Sequence, residues 1–493
     1  MAGNYGLRST GLLVFGARIV SAFTGLLFTI MAARWLTPAG VGTWEVIVTL
    51  VTFSAYPVGV VAFWATRDIA RGQMVGKTAF IFGTLLSGAG LVLYFGFSFF
   101  TYSRIAASVL PFVLGTLLVP LSYWSAVSNS IVQGFRPSAY GYALIISEVL
   151  KLVVAYEALY VYRLGLEGVI LGLITSYFVQ SVVGTYLVRL TAAEKFEPPQ
   201  VRRWSRLAWL PAISYLPTVI AVADTYVAAI GFGPGIVGYY QIAFIVASVV
   251  GYSSSLAYSL YPLLLRGGSE RLPAVSMEFA LLFAIPMAGG CVALAGPILY
   301  IFGSKYEASS LGLAILASMF VFTVISGIVD QVLQGTEKAD VGQRPKFWAL
   351  IRSNLLFVPV ANVLFGVFYV SSLYVALSYA STSGLSTSST IELWAVVELS
   401  ATVAFMLAKA WRARRFGKLM PGRSVLCYLI GTVVMGVFSY LVAGAFVSET
   451  AGTLSYGLHL LGVVVSGAAV YFGVVYILDA KFRSLALGFR RRL

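Results

Sequence analysis

Fourteen apolar stretches, each long enough to cross a lipid bilayer, follow one another along this chain of 493 residues. A transmembrane helix needs roughly 20 mostly apolar residues, so these stretches leave no room for a large water-exposed domain. The composition agrees, because 59% of the residues are hydrophobic and 10% are charged, against about 45–50% and about 25% in soluble domains. We therefore predict an all-α integral membrane protein. The stretches centre near Phe23, Ser54, Gly90, Pro120, Val149, Ser176, Ile220, Val249, Ala284, Phe322, Leu364, Ser400, Gly436 and Ala468.

The lysines and arginines lie almost entirely on one side of the predicted membrane. With the N-terminus inside, most of the 33 basic residues fall in the inner connections and the C-terminal tail. The exceptions are Arg34, Arg104, Arg163 and Lys305 on the outer side, and Arg18 and Lys151 within spans. Such a bias marks the cytoplasmic loops of membrane proteins. We therefore predict an even number of spans, both termini in the cytoplasm, and a location in the plasma membrane.

This distribution also accounts for the net charge of +15. Basic inner loops attract anionic lipid headgroups, so the charge requires no nucleic-acid partner. Cys291 and Cys427 both lie in apolar stretches and predict no disulfide framework. The first apolar stretch continues into a second span rather than a small-residue cleavage site, so we expect no cleaved signal peptide.

Two short motifs recur in the second half of the chain. The pattern P-x-x-V-G-x-aromatic occurs at residues 38–44 and again at 234–240, and a Gln-Gly pair preceded by two aliphatic residues occurs at 131–134 and 332–335. Their offsets are similar, and they stand at equivalent places among the spans. Repeat units of six spans keep their orientation in the membrane, which predicts two parallel lobes with a substrate site between them. We predict lobes at 1–190 and 191–423, followed by an additional helix pair and basic cytoplasmic tail at 424–493.

A further set of short motifs is spread along the chain. It comprises residues 33–38, 41–42, 67–71, 237–240, 285–286, 302–308 and 333–335, with Asp224 and Pro262. In these motifs the sequence resembles a known family, the polysaccharide and lipid-linked oligosaccharide flippases of the multidrug/oligosaccharidyl-lipid/polysaccharide exporter superfamily. One departure is Thr37-Pro38, where the family more often has Gly-Pro.

This resemblance implies a fold and a function. The expected fold has two lobes in a V-shape that alternates between inward-open and outward-open states. The expected activity is translocation of a polyprenyl-linked oligosaccharide from the cytoplasmic to the outer leaflet. Partners would be the lipid-linked glycan, membrane lipids and glycan-assembly enzymes. We expect no cofactor, with coupling to sodium, protons or the membrane potential.

Charged residues inside the spans are the candidate binding groups, because a charge at mid-bilayer costs roughly 2.5–3.5 kcal/mol. Arg18 lies in the first span on a face of small and polar residues. As a cation in a cavity it would meet a pyrophosphate or an acidic sugar, or else it forms a structural salt bridge. Glu148 and Lys151 are three residues apart and within reach of each other on one helix face. They are either a self-neutralising structural pair or part of the substrate cavity.

Further acidic and basic groups suggest coupling and gating. Asp224 shares a small, polar face with Pro217, whose ring can kink the helix; it would bind a coupling cation or proton, or pair with a buried arginine. Arg67 and Asp330 are candidates for an inner gate, although Asp330 lies near the interface and fits a structural role as well. Glu398 and His459 are single polar groups, for which packing is the preferred interpretation.

Sequence motifs of enzymes are incomplete. Residues 72–78 resemble a phosphate-binding P-loop, but three rather than four residues separate the glycines and no strand precedes them. With one histidine and no paired cysteines, the chain offers no metal-ligand cluster. We therefore expect a transporter rather than an enzyme. The alternatives are a cation-coupled multidrug exporter of the same superfamily and, least favoured, a membrane-embedded glycan-processing enzyme.

Overall fold

In the part of the chain that it describes, the computed structural model is almost entirely helical, and those residues contain no strand. They are 7–70, 72–105, 108–135, 137–187, 195–257, 260, 272–337, 348, 352–416, 422–447 and 452–484.

The chain divides into two compact units, Met1–Gly238 and Tyr239–Leu493. Residues 191–238, which we predicted to begin the second lobe, group with the first unit, because helices there pack on earlier ones. The hydroxyl of Tyr56 donates to the carbonyl of Ala212 at 2.6 Å, and Tyr226 packs on Phe53 with ring centroids 5.8 Å apart. The lobe boundaries drawn from the sequence stay a prediction.

The helices of the first unit are numbered in chain order. They are α1 (Leu7–Trp35), α2 (Pro38–Ala55), α3 (Val58–Ala70), α4 (Gly76–Tyr102), α5 (Val109–Phe135), α6 (Pro137–Tyr156), α7 (Leu166–Leu187), α8 (Pro198–Arg206), α9 (Trp209–Ala221), α10 (Ala223–Phe232) and α11 (Pro234–Ser248), the last continuing into the second unit. A π-helical turn, Glu157–Val161, extends α6.

The second unit begins within α11, which runs on as a 3-10 helix, Val249–Ala257. Its remaining helices are α12 (Leu272–Ala293), α13 (Ala295–Phe302), α14 (Ser310–Gly335), α15 (Asn354–Thr382), α16 (Thr387–Ala413), α17 (Gly422–Phe446) and α18 (Thr453–Leu478). Short 3-10 turns, Ser304–Ser309 and Arg414–Phe416, lie between α13 and α14 and after α16.

Every predicted span centre falls in or beside one of these helices. Twelve helices within the described residues are long and apolar enough to cross a membrane. The two predicted spans outside that set are α1, whose apolar part is Val20–Trp35, and α6, which carries Glu148 and Lys151. The all-α, multi-pass membrane fold predicted from the sequence is therefore confirmed.

Two predicted spans are interrupted. The second span breaks between α2 and α3 at Tyr56 and Pro57, because a proline has no N–H for the helix ladder and its ring crowds the carbonyl four residues earlier. The seventh breaks at Val222, between α9 and α10, while the helix remains continuous through Pro217. The interruption thus lies five residues beyond the proline where the sequence suggested a kink.

Close packing in the first unit depends on small residues around α5. The hydroxyl of Tyr123 donates to the carbonyl of Ser54 at 2.8 Å, and a Cβ at Gly90 would lie 2.8 Å from that same hydroxyl oxygen. Glycine in a membrane helix permits such backbone approach. These contacts fasten α2, α4 and α5 together.

The two copies of the P-x-x-V-G motif pack directly on each other. Both prolines begin a helix, Pro38 in α2 and Pro234 in α11, a position that suits the fixed proline φ angle. A Cβ at Gly42 would lie 1.7 Å from the carbonyl oxygen of Pro234, and a Cβ at Gly238 would lie 1.8 Å from that of Pro38. The contact is therefore reciprocal and requires glycine at both positions.

Candidate functional site

A buried ion pair links α1 and α6 in the first unit. The ammonium of Lys151 lies 2.7 Å from Oε2 of Glu148, and the hydroxyl of Thr24 donates to the same oxygen at 2.7 Å. The ammonium also lies 5.3 Å from the ring centroid of Phe28, within cation–π range. Both charged residues are 7% exposed. The structure therefore brings together the predicted pair, and the two charges neutralise each other.

Arg18 is part of helix α1, six residues before Thr24. Its side chain lies outside the described part of the structure, so its role as a cavity cation stays a prediction.

Asp224 begins α10, directly after the break at Val222. It is 6% exposed, and its Oδ1 accepts the backbone N–H of Thr225 at 2.6 Å and the hydroxyl of Thr225 at 3.2 Å. A carboxylate at a helix start also interacts favourably with the positive end of the helix dipole. A role in coupling stays a prediction.

The acidic neighbour of the predicted gate residue Arg67 is a stronger anchor than Arg67 itself. Arg67 is exposed and lies over the ring of Phe63. Asp68 is fully buried, and its Oδ2 accepts hydrogen bonds from the side chains of Gln200, Arg203 and Trp204 in α8. This carboxylate ties the helix between the sixth and seventh spans to the end of α3. Sequence reasoning missed it, because its partners lie more than 130 positions away.

The second unit contains a cavity of about 300 Å³ in which a cluster of charged and polar side chains faces an aromatic wall. Inside it the ammonium of Lys409 donates to Oδ2 of Asp330 at 2.9 Å, to Asn362 at 2.6 Å and to Ser326 at 3.1 Å. These contacts use all three donors of the ammonium. Phenylalanines form much of the remaining wall: Phe244, Phe320, Phe365 and Phe405.

Lys409 corrects one assignment made from the sequence. We placed it in a cytoplasmic connection, but it lies within α16 and is 4% exposed. The apolar residues directly before Lys409 could have indicated that the helix extends past it, and it does so as far as Ala413. Asp330, a predicted gate residue, thus has a buried basic partner on another helix.

A second carboxylate, Glu398, reaches the same cavity. It accepts a short hydrogen bond from the hydroxyl of Tyr240, whose ring stacks on Trp394 with centroids 3.8 Å apart. The indole N–H of Trp394 in turn donates to the hydroxyl of Tyr369 at 2.8 Å. Glu398 therefore belongs to an extended buried network rather than standing as the single polar group we expected.

An apolar cavity of about 340 Å³ lies between α12 and the last two helices. Its walls are almost entirely apolar, and the hydroxyl-bearing residues among them are Ser439 and Tyr471, whose hydroxyl already donates to the carbonyl of Leu282 at 2.8 Å. Representative lining residues are Phe283, Met287, Leu294, Met435, Val464 and Phe472. Such a cavity suits an alkyl or isoprenoid chain. No group of three or more His, Cys, Asp or Glu residues able to hold a metal occurs among the described residues.

Comparison with known proteins shows which proteins this chain resembles. No protein-family profile matches the chain. One relative, the probable flippase AglR of Haloferax volcanii, is 23% identical over 385 residues, covering 73% of this chain and 77% of AglR.

Solved structures agree at the level of the fold. The lipid II flippase MurJ in an inward closed conformation is 13% identical with a TM-score of 0.70, covering 96% of this chain and all of MurJ. An inward-facing MATE-family multidrug resistance transporter of the MOP superfamily is 14% identical with a TM-score of 0.57, covering 80% and 95%. The Vibrio cholerae MATE transporter VcmN has 14% identity and a TM-score of 0.52, covering 84% and 99%. The resemblance predicted from the sequence is confirmed.

Proposed function

We propose that this protein is a flippase that moves a polyprenyl-linked oligosaccharide from the cytoplasmic to the outer leaflet by alternating access. It would act without a covalent step, as a transporter in the plasma membrane with both termini in the cytoplasm. The likeness to a named flippase over 73% of the chain supports this proposal.

The observation that carries the proposal is the apolar cavity between α12 and the final helix pair, α17 and α18. Helices α17 and α18 follow the twelve spans of the repeat, and the cavity they form offers almost no polar surface. A polyprenyl chain gains free energy from such a wall, at roughly 25 cal/mol per Å² of buried apolar area. A transporter whose drug substrates have no lipid tail has no need of such an apolar cavity.

Cations near the first two helices would receive the headgroup. Arg18 is the preferred residue, since Lys151 is already neutralised by Glu148 at 2.7 Å. Planar guanidinium groups bind phosphate oxygens through two parallel hydrogen bonds. Arg67 at the end of α3 and Asp330 with its Lys409 partner are proposed as inner gate groups.

The driving force can come from the membrane potential. A pyrophosphate with about two negative charges leaves an inside-negative cell with a gain of about 2.3 kcal/mol per charge per 100 mV, or about 4–5 kcal/mol in total. Asp224 and Glu148 would act as counter-charges when the empty transporter returns. Coupling to sodium or protons is the competing form of the same proposal.

Export of cationic drugs is the alternative function, since MATE transporters share the fold. The carboxylates of Asp330 and Glu398, which line the cavity around Lys409, favour it. The Lys409 ammonium, 2.9 Å from Asp330, opposes it by cancelling one negative charge.

Proteoliposomes separate these functions. Purified protein is reconstituted with a fluorescent polyprenyl-pyrophosphate glycan, and outward appearance is followed by a membrane-impermeant lectin or quencher. We expect flipping that accelerates under an inside-negative potential, and no uptake of cationic dyes. Dye transport without glycan movement would establish the alternative. A rate that ignores the potential but follows a sodium or proton gradient would replace potential drive by ion coupling.

A further inference from the structure

A third cavity, of about 380 Å³, lies where the ends of α13 and α17 meet the start of α18. The apolar cavity and this pocket both lie along the seam between α12–α13 and the helix pair α17 and α18. In the predicted topology the apolar cavity lies deeper in the membrane, and the pocket is at the outer end of that seam. Its lining differs from that of the apolar cavity, because it contains three tyrosines and a carboxylate: Tyr300, Tyr440, Tyr456 and Glu307.

The three tyrosines of the pocket differ in how tightly they are held. Tyr456 is 3% exposed, and its hydroxyl donates to the carbonyl of Pro297 at 3.2 Å. Its ring centroid lies 4.7 Å from that of Tyr300 at an interplanar angle of 43°. Tyr440, by contrast, is 68% exposed. The pocket therefore has a rigid aromatic base and a second ring whose surface is accessible.

Two glycines of the lining, Gly296 and Gly444, have free space around them. A Cβ at Gly444 would meet no atom within 4 Å, and one at Gly296 would meet only the hydroxyl oxygen of Ser310, at 3.9 Å. Both glycines line the pocket. Neither position is crowded, so a larger side chain fits at either one without a backbone clash.

We propose that this pocket binds a neutral sugar ring of the translocated glycan on the outer side of the membrane; this inference rests on the proposed function. The apolar C–H face of a pyranose packs on an aromatic ring, whose face carries partial negative charge. A carboxylate accepts hydrogen bonds from sugar hydroxyls and repels an acidic sugar. The volume falls at the small end of ligand pockets, about 300–1,000 Å³. The site would hold the headgroup while the lipid tail leaves the seam.

Free oligosaccharides test the pocket without flipping. Purified protein in nanodiscs is titrated with cellotriose, a neutral glucose trimer, and with tri-galacturonate, followed by saturation-transfer NMR. We expect a signal from cellotriose and none from the acidic trimer. Gly444→Leu should abolish the cellotriose signal by filling the pocket. Tyr440→Ala should weaken the affinity about 2- to 10-fold, the usual contribution of one aromatic contact.

Gly462→Leu on α18 is the matched control, because Gly462 is exposed, is open to within 4 Å and lies outside the pocket. It should bind cellotriose like the unchanged protein. Equal binding by Gly444→Leu, or no binding by unchanged protein that flips lipid-linked glycan, would overturn the pocket while leaving the proposed function intact. Loss of a co-purified phospholipid from Gly444→Leu, seen by native mass spectrometry without any sugar signal, would assign the pocket to lipid.

Discussion

Substitution of Gly42 by alanine tests the reciprocal contact between α2 and α11. The added Cβ would lie 1.7 Å from the carbonyl oxygen of Pro234, whereas ordinary contact begins at 3.4 Å. The two helices must therefore separate by about 1.7 Å or deform. Overpacking of this kind costs about 1–3 kcal/mol, which corresponds to about a 5- to 150-fold shift in an equilibrium between two arrangements. We expect Gly42→Ala to disfavour the arrangement in which these helix starts are packed.

Cysteine labelling measures that shift. Thr43, beside Gly42 on α2, is 4% exposed, so Thr43→Cys reports opening of the contact. In a background without the two native cysteines, an impermeant maleimide should label it faster when Gly42→Ala is present. Gly96→Ala is the control, because a Cβ there meets no atom within 4 Å. Unchanged labelling and unchanged glycan flipping in Gly42→Ala would refute the requirement for close helix approach.

Three further predictions concern charge. Arg18→Ala should abolish flipping at normal expression and Arg18→Lys should retain part of it, whereas loss of folded protein in Arg18→Ala would assign the residue to a structural ion pair. Lys409→Met should destabilise the protein by up to about 3–5 kcal/mol, because it leaves the partly buried carboxylate of Asp330 without its cation. Adding Asp330→Asn should restore most of the thermal stability, and a single variant as stable as the parent would contradict this. In Arg414→Cys, the new cysteine should react with an impermeant reagent only after the cells are permeabilised. Labelling of intact cells would contradict the predicted topology.

Local charge pairs were predictable from the sequence, and distant ones were not. Glu148 and Lys151 are three residues apart, so helix periodicity alone brings them together. Asp330 and Lys409 are 79 positions apart, and no periodic pattern relates residues on different helices. Asp68 belongs to the motif at residues 67–71, but its bonds to α8 were not predicted, because those partners also lie far away in the sequence.

Interruptions of the spans were only partly predictable. The second span breaks at Pro57, where the missing amide hydrogen leaves the helix ladder open. Pro217 is accommodated within α9, and the seventh span breaks at Val222 instead. In a packed bundle, neighbouring helices can satisfy the groups that a proline leaves free. The contacts of that span, such as Tyr226 with Phe53, are long-range and are absent from sequence periodicity.

The anchoring of α8 by Asp68 has a consequence for biogenesis. The acceptor oxygen of Asp68 lies at the end of α3, and its donors lie in α8, which follows α7. These hydrogen bonds can therefore form only after the first six spans have been synthesised. An early chain carries Asp68 without these partners, a polar group that must stay hydrated until α8 arrives. Once docked, α8 fixes the point from which α9 enters the bilayer. Synthesis of the first half thus prepares the entry site of the second, and a chain cut between α7 and α8 should still assemble when both pieces are made together.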